Sequence, residues 1–195
     1  MLAMICTESI YYYVAMKDST EIIAELLEHL DDQPDREGLR ATPQRYSRFL
    51  EEFLTPQPFT PTVFDNEGYD EMIIQSKIPF YSICEHHLVP FFGYGTIAYI
   101  PDKKIIGLSK LARILDHAAH RLQNQERITT QVVEFLTEAV NPKGAGVILQ
   151  ARHLCMEMRG IKKPGAITTT SALRGNFKHD PRTRAEFIRL SEISQ

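Results

Sequence analysis

The sequence predicts an α+β protein carrying a helical arm at its N-terminus. Three observations carry that reading. Two segments before residue 56 repeat apolar side chains at three- and four-residue spacing, a proline-bearing stretch follows over residues 57–69, and beyond residue 70 the order is strand, strand, helix, helix, strand, strand. At 195 residues, 43% hydrophobic and 24% charged, the chain is long enough for one domain with a real core plus the arm. The expected organisation is an arm over residues 1–56, a linker over 57–69 and a main domain over 70–195.

In the arm, Ile22, Ile23, Leu26, Leu27 and Leu30 form an apolar row, and Asp18 with Glu21 is spaced as a capping box. After the polar stretch DDQPDREG, Thr42-Pro43 reads as an N-cap followed by Pro in the first helical position, ahead of Tyr46, Phe49, Leu50 and Phe53. That second helix ends before Pro56. TPQPFTPTVFDNEG is expected to lack regular structure because its prolines remove backbone donors. EMIIQSKIPF and YGTIAYI, rich in β-branched and aromatic residues, read as strands joined through the segment around Cys84. Two helices come next. Ser109 is the expected cap of the first, with Leu111, Leu115, Ala118 and Leu122 on one face; the second buries Ile128, Val132, Phe135, Leu136 and Ala139 and stops at Asn141-Pro142. VILQARHLCMEM and AITTTSAL read as strands, and TRAEFIRLSEI as a closing helix. The symmetric order hints at two antiparallel strand pairs flanking a helix pair.

Composition narrows the function classes. No window approaches the roughly 18 consecutive apolar residues of a membrane span, so no membrane partner is expected. Three cysteines are too few and too odd in number for a disulfide framework, and the N-terminus lacks a secretory signal, so a reducing cytoplasm is the expected location. The net charge of −3 hides a split: residues 1–76 hold 5 Lys/Arg against 15 Asp/Glu, and residues 77–195 hold 17 against 10. A positive region of that kind suits an anionic phosphate ligand or the acidic face of another subunit. Nucleic acid is not expected, since the basic residues are dispersed and the pI is near 6.2.

Chemistry concentrates at Cys84-Glu85-His86-His87. In a turn or helix, Cys84 and His87 both reach one ion, and thiolate plus imidazole suits Zn²⁺. Alone, such a Cys-x-x-His reads rather as a buried thiol beside a surface histidine. Read as one strand, residues 147–158 would put His153, Cys155, Glu157 and, just beyond, Arg159 on one face. Cys84, His87 and Cys155 then make three ligands with a fourth position left to water, as in catalytic zinc sites, and His86 and His153 remain as proton carriers. A structural site completed by Cys6 or a histidine is the other reading. Glu126, between Gln125 and Arg127, is either a helix-opening carboxylate or an acceptor for two N–H groups of a guanine edge. Lys110 and Arg113 share a helical face behind Ser109, where an anion is favoured, although each alone, like Arg159, reads as a solvated charge. No Walker-type GxxxxGK[ST] is present.

TPQR, SICEHHLVPFFG, YIP, IIGLSKLARI, QNQER, RHLCMEMRG and TRAEF, in this order between Thr42 and Leu190, closely resemble the GTP cyclohydrolase I family. The resemblance implies the tunnelling fold, a homodecamer of two stacked pentameric rings and active sites between subunits. It implies Cys84, His87 and Cys155 as zinc ligands and His86 and His153 as proton carriers. Glu126, helped by Gln125, would hold the guanine, and Ser109 would lie near the ribose. Lys110, Arg113, Arg159 and a neighbour's Arg45 would hold the triphosphate. The implied reaction hydrolyses cyclic amidine C–N bonds of GTP to give formate and 7,8-dihydroneopterin triphosphate, first in pterin and tetrahydrofolate biosynthesis. Tyr46-Ser47 and Asn124 depart from the family pattern.

Two other readings are weighed against it. A nitrile-reducing enzyme of the same fold would need a Cys nucleophile and a nicotinamide, which the zinc trio and the triphosphate cations argue against. A zinc-stabilised, non-catalytic assembly or regulatory protein would use the same ligands for structure alone.

Overall fold

A computed structural model describes residues 17–193. The chain divides into two compact units, Met1–Thr55 and Pro56–Gln195. In the first, α1 (Ser19–Leu30) opens with the expected capping box: Glu21 N donates to Asp18 Oδ1 at 2.9 Å, and Asp18 N donates to Glu21 Oε2 at 3.1 Å. α2 (Thr42–Leu54) is capped by Ala41, so Thr42 sits inside the helix and Pro43 follows it rather than opening it. The Thr42 hydroxyl instead donates back to Gly38 O. The two helices pack together, with Ser19 and Ser47 hydrogen-bonded across them. Of the apolar row of α1, Ile23 is buried, while Ile22, Leu26 and Leu30 are exposed. A row that wide exceeds what a single partner helix covers.

The second unit runs β1 (Val63–Asp65), β2 (Ile73–Cys84), β3 (Pro90–Ile100), β4 (Lys104–Ile106), α3 (Leu108–Ala119), β5 (Leu122–Gln123), α4 (Gln125–Val140), β6 (Gly144–His153), α5 (Leu154–Glu157), β7 (Thr168–Gly175), α6 (Asn176–His179) and α7 (Pro181–Ile193). β5-β2-β3-β6-β7 form one sheet, antiparallel except for the short parallel pair of β2 with β5. The two predicted strand pairs are thus fused through β3 and β6. α3 and α4 pack against each other and against the sheet, burying Leu111, Leu115, Val132 and Leu136 against Phe80, Ile97 and Leu149. Each such side chain, fully buried, stabilises by about 1.5–3 kcal/mol. At Gly93 the neighbouring strand comes so close that an added Cβ would lie 1.9 Å from Gln150 O, so the β3–β6 pairing beside the site depends on glycine there.

Several sequence expectations shift. Residues 63–65 do form a strand, paired with residues 104–106, because past Pro61 no proline removes a donor. Gly107, not Ser109, caps α3, and Leu122 leaves the helix for β5, where it is exposed. Residues 147–158 are not one strand: β6 stops at His153 and one helical turn follows, closed by Met158 N donating to Leu154 O. Same-face alternation therefore fails beyond His153. Glu157 is turned away onto Arg152, which donates to it through Nε at 2.8 Å and a terminal nitrogen at 2.5 Å.

Candidate active site

Ile83 on β2 pairs with Pro90 on β3, which leaves Cys84 at the neck of a tight loop. Cys84 N donates to Val89 O at 3.0 Å, and the amides of His87 and Leu88 both donate to Cys84 O. Such a turn places residues three apart on one side, and Cys84 Sγ lies 3.8 Å from His87 Nδ1. The helical turn α5 delivers Cys155 to the same point, so that ligand atoms of Cys84, His87 and Cys155 all lie within 4.8 Å of one another. Metal–sulfur bonds near 2.3 Å and metal–nitrogen bonds near 2.0 Å about a tetrahedral ion require ligand atoms roughly 3.3–3.8 Å apart. The cluster fits a metal ion with only small adjustment. Burial, and next the neighbouring Cys84 thiol, push the Cys155 thiol up; a divalent cation between the two sulfurs reverses that balance.

Among the described residues no fourth Cys, His, Asp or Glu joins the group. Cys6 lies outside the described residues. His86 has Nδ1 3.7 Å from Cys84 Sγ, yet its side chain is 65% exposed, which leaves it open to exchange protons with solvent.

His153, the last residue of β6, pairs with Phe91 across the sheet. Their rings stack at 4.6 Å and 5°. Its Nε2 lies 2.8 Å from Gln125 Oε1. Burial lowers the His153 pKa, while Glu126 acts in the opposite direction; the Glu126 carboxylate is thus close enough for its charge to be felt at the imidazole. Gln125, fully buried at the start of α4, donates through Nε2 to Leu149 O, Thr168 O and Thr170 Oγ1 at 2.9–3.1 Å.

A second set of contacts ties the metal-ligand loop to the start of α4. Glu85 N donates to Gln123 O at 2.9 Å. The Glu85 carboxylate accepts from Arg127 at 2.7 and 3.0 Å and from Asn124 Nδ2 at 3.1 Å. Asn124 is also the N-cap of α4, its Oδ1 accepting from Arg127 N at 2.8 Å. The Arg127 hydrogen bonds, ahead of the one from Asn124, hold the Glu85 carboxyl below the usual carboxylate range. Glu85 and Arg127 stand within the motifs that the sequence singles out, but their pairing, and so their role in anchoring the loop, is visible only in the structure.

The structure therefore brings Cys84, His86, His87, Cys155, His153, Gln125 and Glu126 to one end of the sheet, where β2, β5 and β6 finish and α4 begins. Arg159 follows α5 closely enough for its charge to act weakly against the burial that pushes the Cys155 thiol up. Ser109, Lys110 and Arg113 stand on the first turns of α3, with Ser109 and Arg113 exposed, and share no described contact with the metal-ligand cluster. Arg45, on α2 in the other unit, donates to Gly38 O and to the Thr42 hydroxyl. No helix among the described residues is long and apolar enough to cross a membrane.

The family model for GTP cyclohydrolase I matches residues 19–192. The GTP cyclohydrolase 1 of Aquifex aeolicus (strain VF5) is 53% identical over 165 residues, covering 84% of this chain and 90% of the relative. That of Corynebacterium glutamicum (strain R) is 49% identical over 178 residues, covering 88% and 91%. Among solved structures, the archaeosine synthase QueF-Like in its apo form aligns with a TM-score of 0.45 at 16% identity, over 53% of this chain and 93% of that one. A family match across nearly the whole described chain, with relatives about half identical in sequence, places it: this chain belongs to the GTP cyclohydrolase I family.

Proposed function

We propose that this chain hydrolyses GTP to formate and 7,8-dihydroneopterin triphosphate, the opening reaction of pterin and tetrahydrofolate synthesis. The observation that carries the reading is the convergence of Cys84, His87 and Cys155 within 4.8 Å in a chain of this family. Two thiolates and an imidazole favour Zn²⁺ over harder ions. Held there by Cys84, His87 and Cys155, zinc would supply Lewis acidity, which brings the pKa of water toward about 7. Glu126 accepts the guanine N1–H and 2-amino hydrogens, which fixes the purine. His153 delivers a proton to N7 as water adds at C8, and His86 exchanges protons between the site and solvent. Ser109 contacts the ribose. Lys110, Arg113 and Arg159 neutralise the triphosphate, and Arg45 arrives from a neighbouring subunit.

The sheet with its helix pair supports a tunnelling fold, assembled as a homodecamer with sites between subunits. Thiols that must remain free as ligands favour a reducing compartment, the cytoplasm. Incubating zinc-loaded protein with GTP tests the function: formate is released and oxidation of the product gives fluorescent neopterin. Absence of formate from metal-replete protein sinks the proposal. Chelation distinguishes a catalytic metal from a structural one, since activity is lost while the oligomer persists; a particle that dissociates instead supports the non-catalytic assembly.

A further inference from the structure

The Gln125 amide has its orientation dictated by its surroundings. The Thr129 hydroxyl donates to Gln125 O at 2.7 Å, which spends its one proton. Thr129 Oγ1 and Thr170 Oγ1 lie 2.7 Å apart, so Thr170 must be the donor of that pair, and its oxygen is left to accept from Gln125. Leu149 O and Thr168 O, at 3.0 and 2.9 Å, are acceptors only. All three neighbours on that side are acceptors, so the NH₂ group faces them, its two hydrogens shared among three oxygens, and Oε1 faces His153. A flipped amide would set its oxygen against two carbonyls in a site 1% exposed, leaving buried acceptors unpaired. With Oε1 fixed as an acceptor 2.8 Å away, His153 Nε2 must carry a hydrogen.

We propose that Gln125 is a positioning residue, which holds the His153 hydrogen on Nε2 with the ring flat against Phe91 and leaves Nδ1 as the nitrogen that takes up a proton and then passes it on, and that its side chain does not read the guanine. The proposal rests on the GTP hydrolysis reading for what His153 does, and it revises the role that the family resemblance implies for Gln125. Both amide hydrogens are engaged within the protein, so base recognition falls to Glu126.

Gln125→Met preserves the shape and deletes the acceptor. In the zinc-loaded enzyme kcat is expected to fall by about 10- to 100-fold, the range a misplaced reacting group costs, while KM stays within about threefold. Equilibrium GTP binding is then measured in the slow His153→Ala background, where adding Gln125→Met is expected to leave Kd within about threefold. A tenfold weakening there, or an unchanged kcat in Gln125→Met, overturns the proposal. ¹⁵N spectra of histidine-labelled protein, with the His153 signals assigned by their loss in His153→Ala, report the tautomer directly. At a pH where the ring is neutral the parent is expected to carry its hydrogen on Nε2, and a neutral ring with its hydrogen on Nδ1 overturns the proposal even where Gln125→Met does not assemble. A parent that converts no GTP refutes the function reading instead, and leaves the tautomer result standing on its own.

Discussion

Asn124 reaches across to Glu85, its Nδ2 donating to the carboxylate at 3.1 Å while its Oδ1 caps the helix that carries Gln125 and Glu126. One side chain therefore joins the metal-ligand loop to the base-recognition helix. Asn124→Val is expected to cost about 1 kcal/mol for the lost cap and to speed metal release to a chelator. Asn124→Ser keeps a capping oxygen but drops the donor to Glu85, so it should retain the melting temperature and still release metal faster. Parent-like release from both variants would show that Arg127 alone anchors Glu85.

The metal ligands and the histidines separate by what each loss removes. Cys84→Ala, His87→Ala and Cys155→Ala each leave two protein ligands and are expected to lose both bound metal and turnover. His86→Ala and His153→Ala are expected to keep the metal while losing rate by roughly 10²- to 10⁴-fold, the range for general acid–base catalysis. Metal analysis beside initial rates checks both. Full metal in any of the first three removes that residue from the ligand set, and a parent-like rate in either of the last two leaves that histidine without a role in proton transfer.

Glu126 sets the choice of base. Adenine offers an acceptor at N1 and no 2-amino group, so in the ATP complex the carboxylate would face a lone pair and lose both of its donors. Rejection is expected to be strong, because a site built to bond N–H groups leaves its own acceptor unpaired when they are missing. Glu126→Gln is expected to raise KM for GTP sharply. Conversion of GTP by this variant with parental kcat/KM would move base recognition elsewhere.

Periodicity carried the long elements well and the chemistry of short ones poorly. The capping box at Asp18, the helix ending at Asn141 and the paired strands were legible because apolar spacing and capping side chains act locally. The turn at Leu154–Glu157 was not, since VILQARHLCMEM has the composition of a buried strand and gives no sign that Glu157 closes back onto Arg152. Cys155 reached the site all the same, by a helical turn rather than by strand parity. The Gln125–His153 contact joins residues 28 apart in sequence; spacing gives no hint of it, because the β6 register and the acceptors on β7 decide it. Glu85 and Arg127, 42 apart, are hidden for the same reason.

Each site is expected to draw residues from more than one chain. Arg45 lies in the acidic N-terminal part, whereas Lys110, Arg113 and Arg159 lie in the basic remainder. If a neighbour supplies Arg45 to the triphosphate, Arg45→Ala and Cys84→Ala damage different partners of each site. Each variant alone is expected to be severely impaired, the first in holding the phosphates and the second in holding the metal. In oligomers assembled from both, some interfaces combine an intact Arg45 from one chain with an intact Cys84, His87 and Cys155 from another, and these interfaces recover activity. Random assembly of equal amounts gives about a quarter of the sites this pairing, the product of two one-half probabilities for independent positions. Co-expression with distinguishable tags, isolation of particles carrying both, and native mass spectrometry establish the mixed state before rates are measured. Recovery to about a quarter of the parent rate supports the shared site. Confirmed mixed oligomers no more active than either variant would place Arg45 in the same chain as the metal ligands it serves, or outside the site altogether, and both outcomes refute donation by a neighbour.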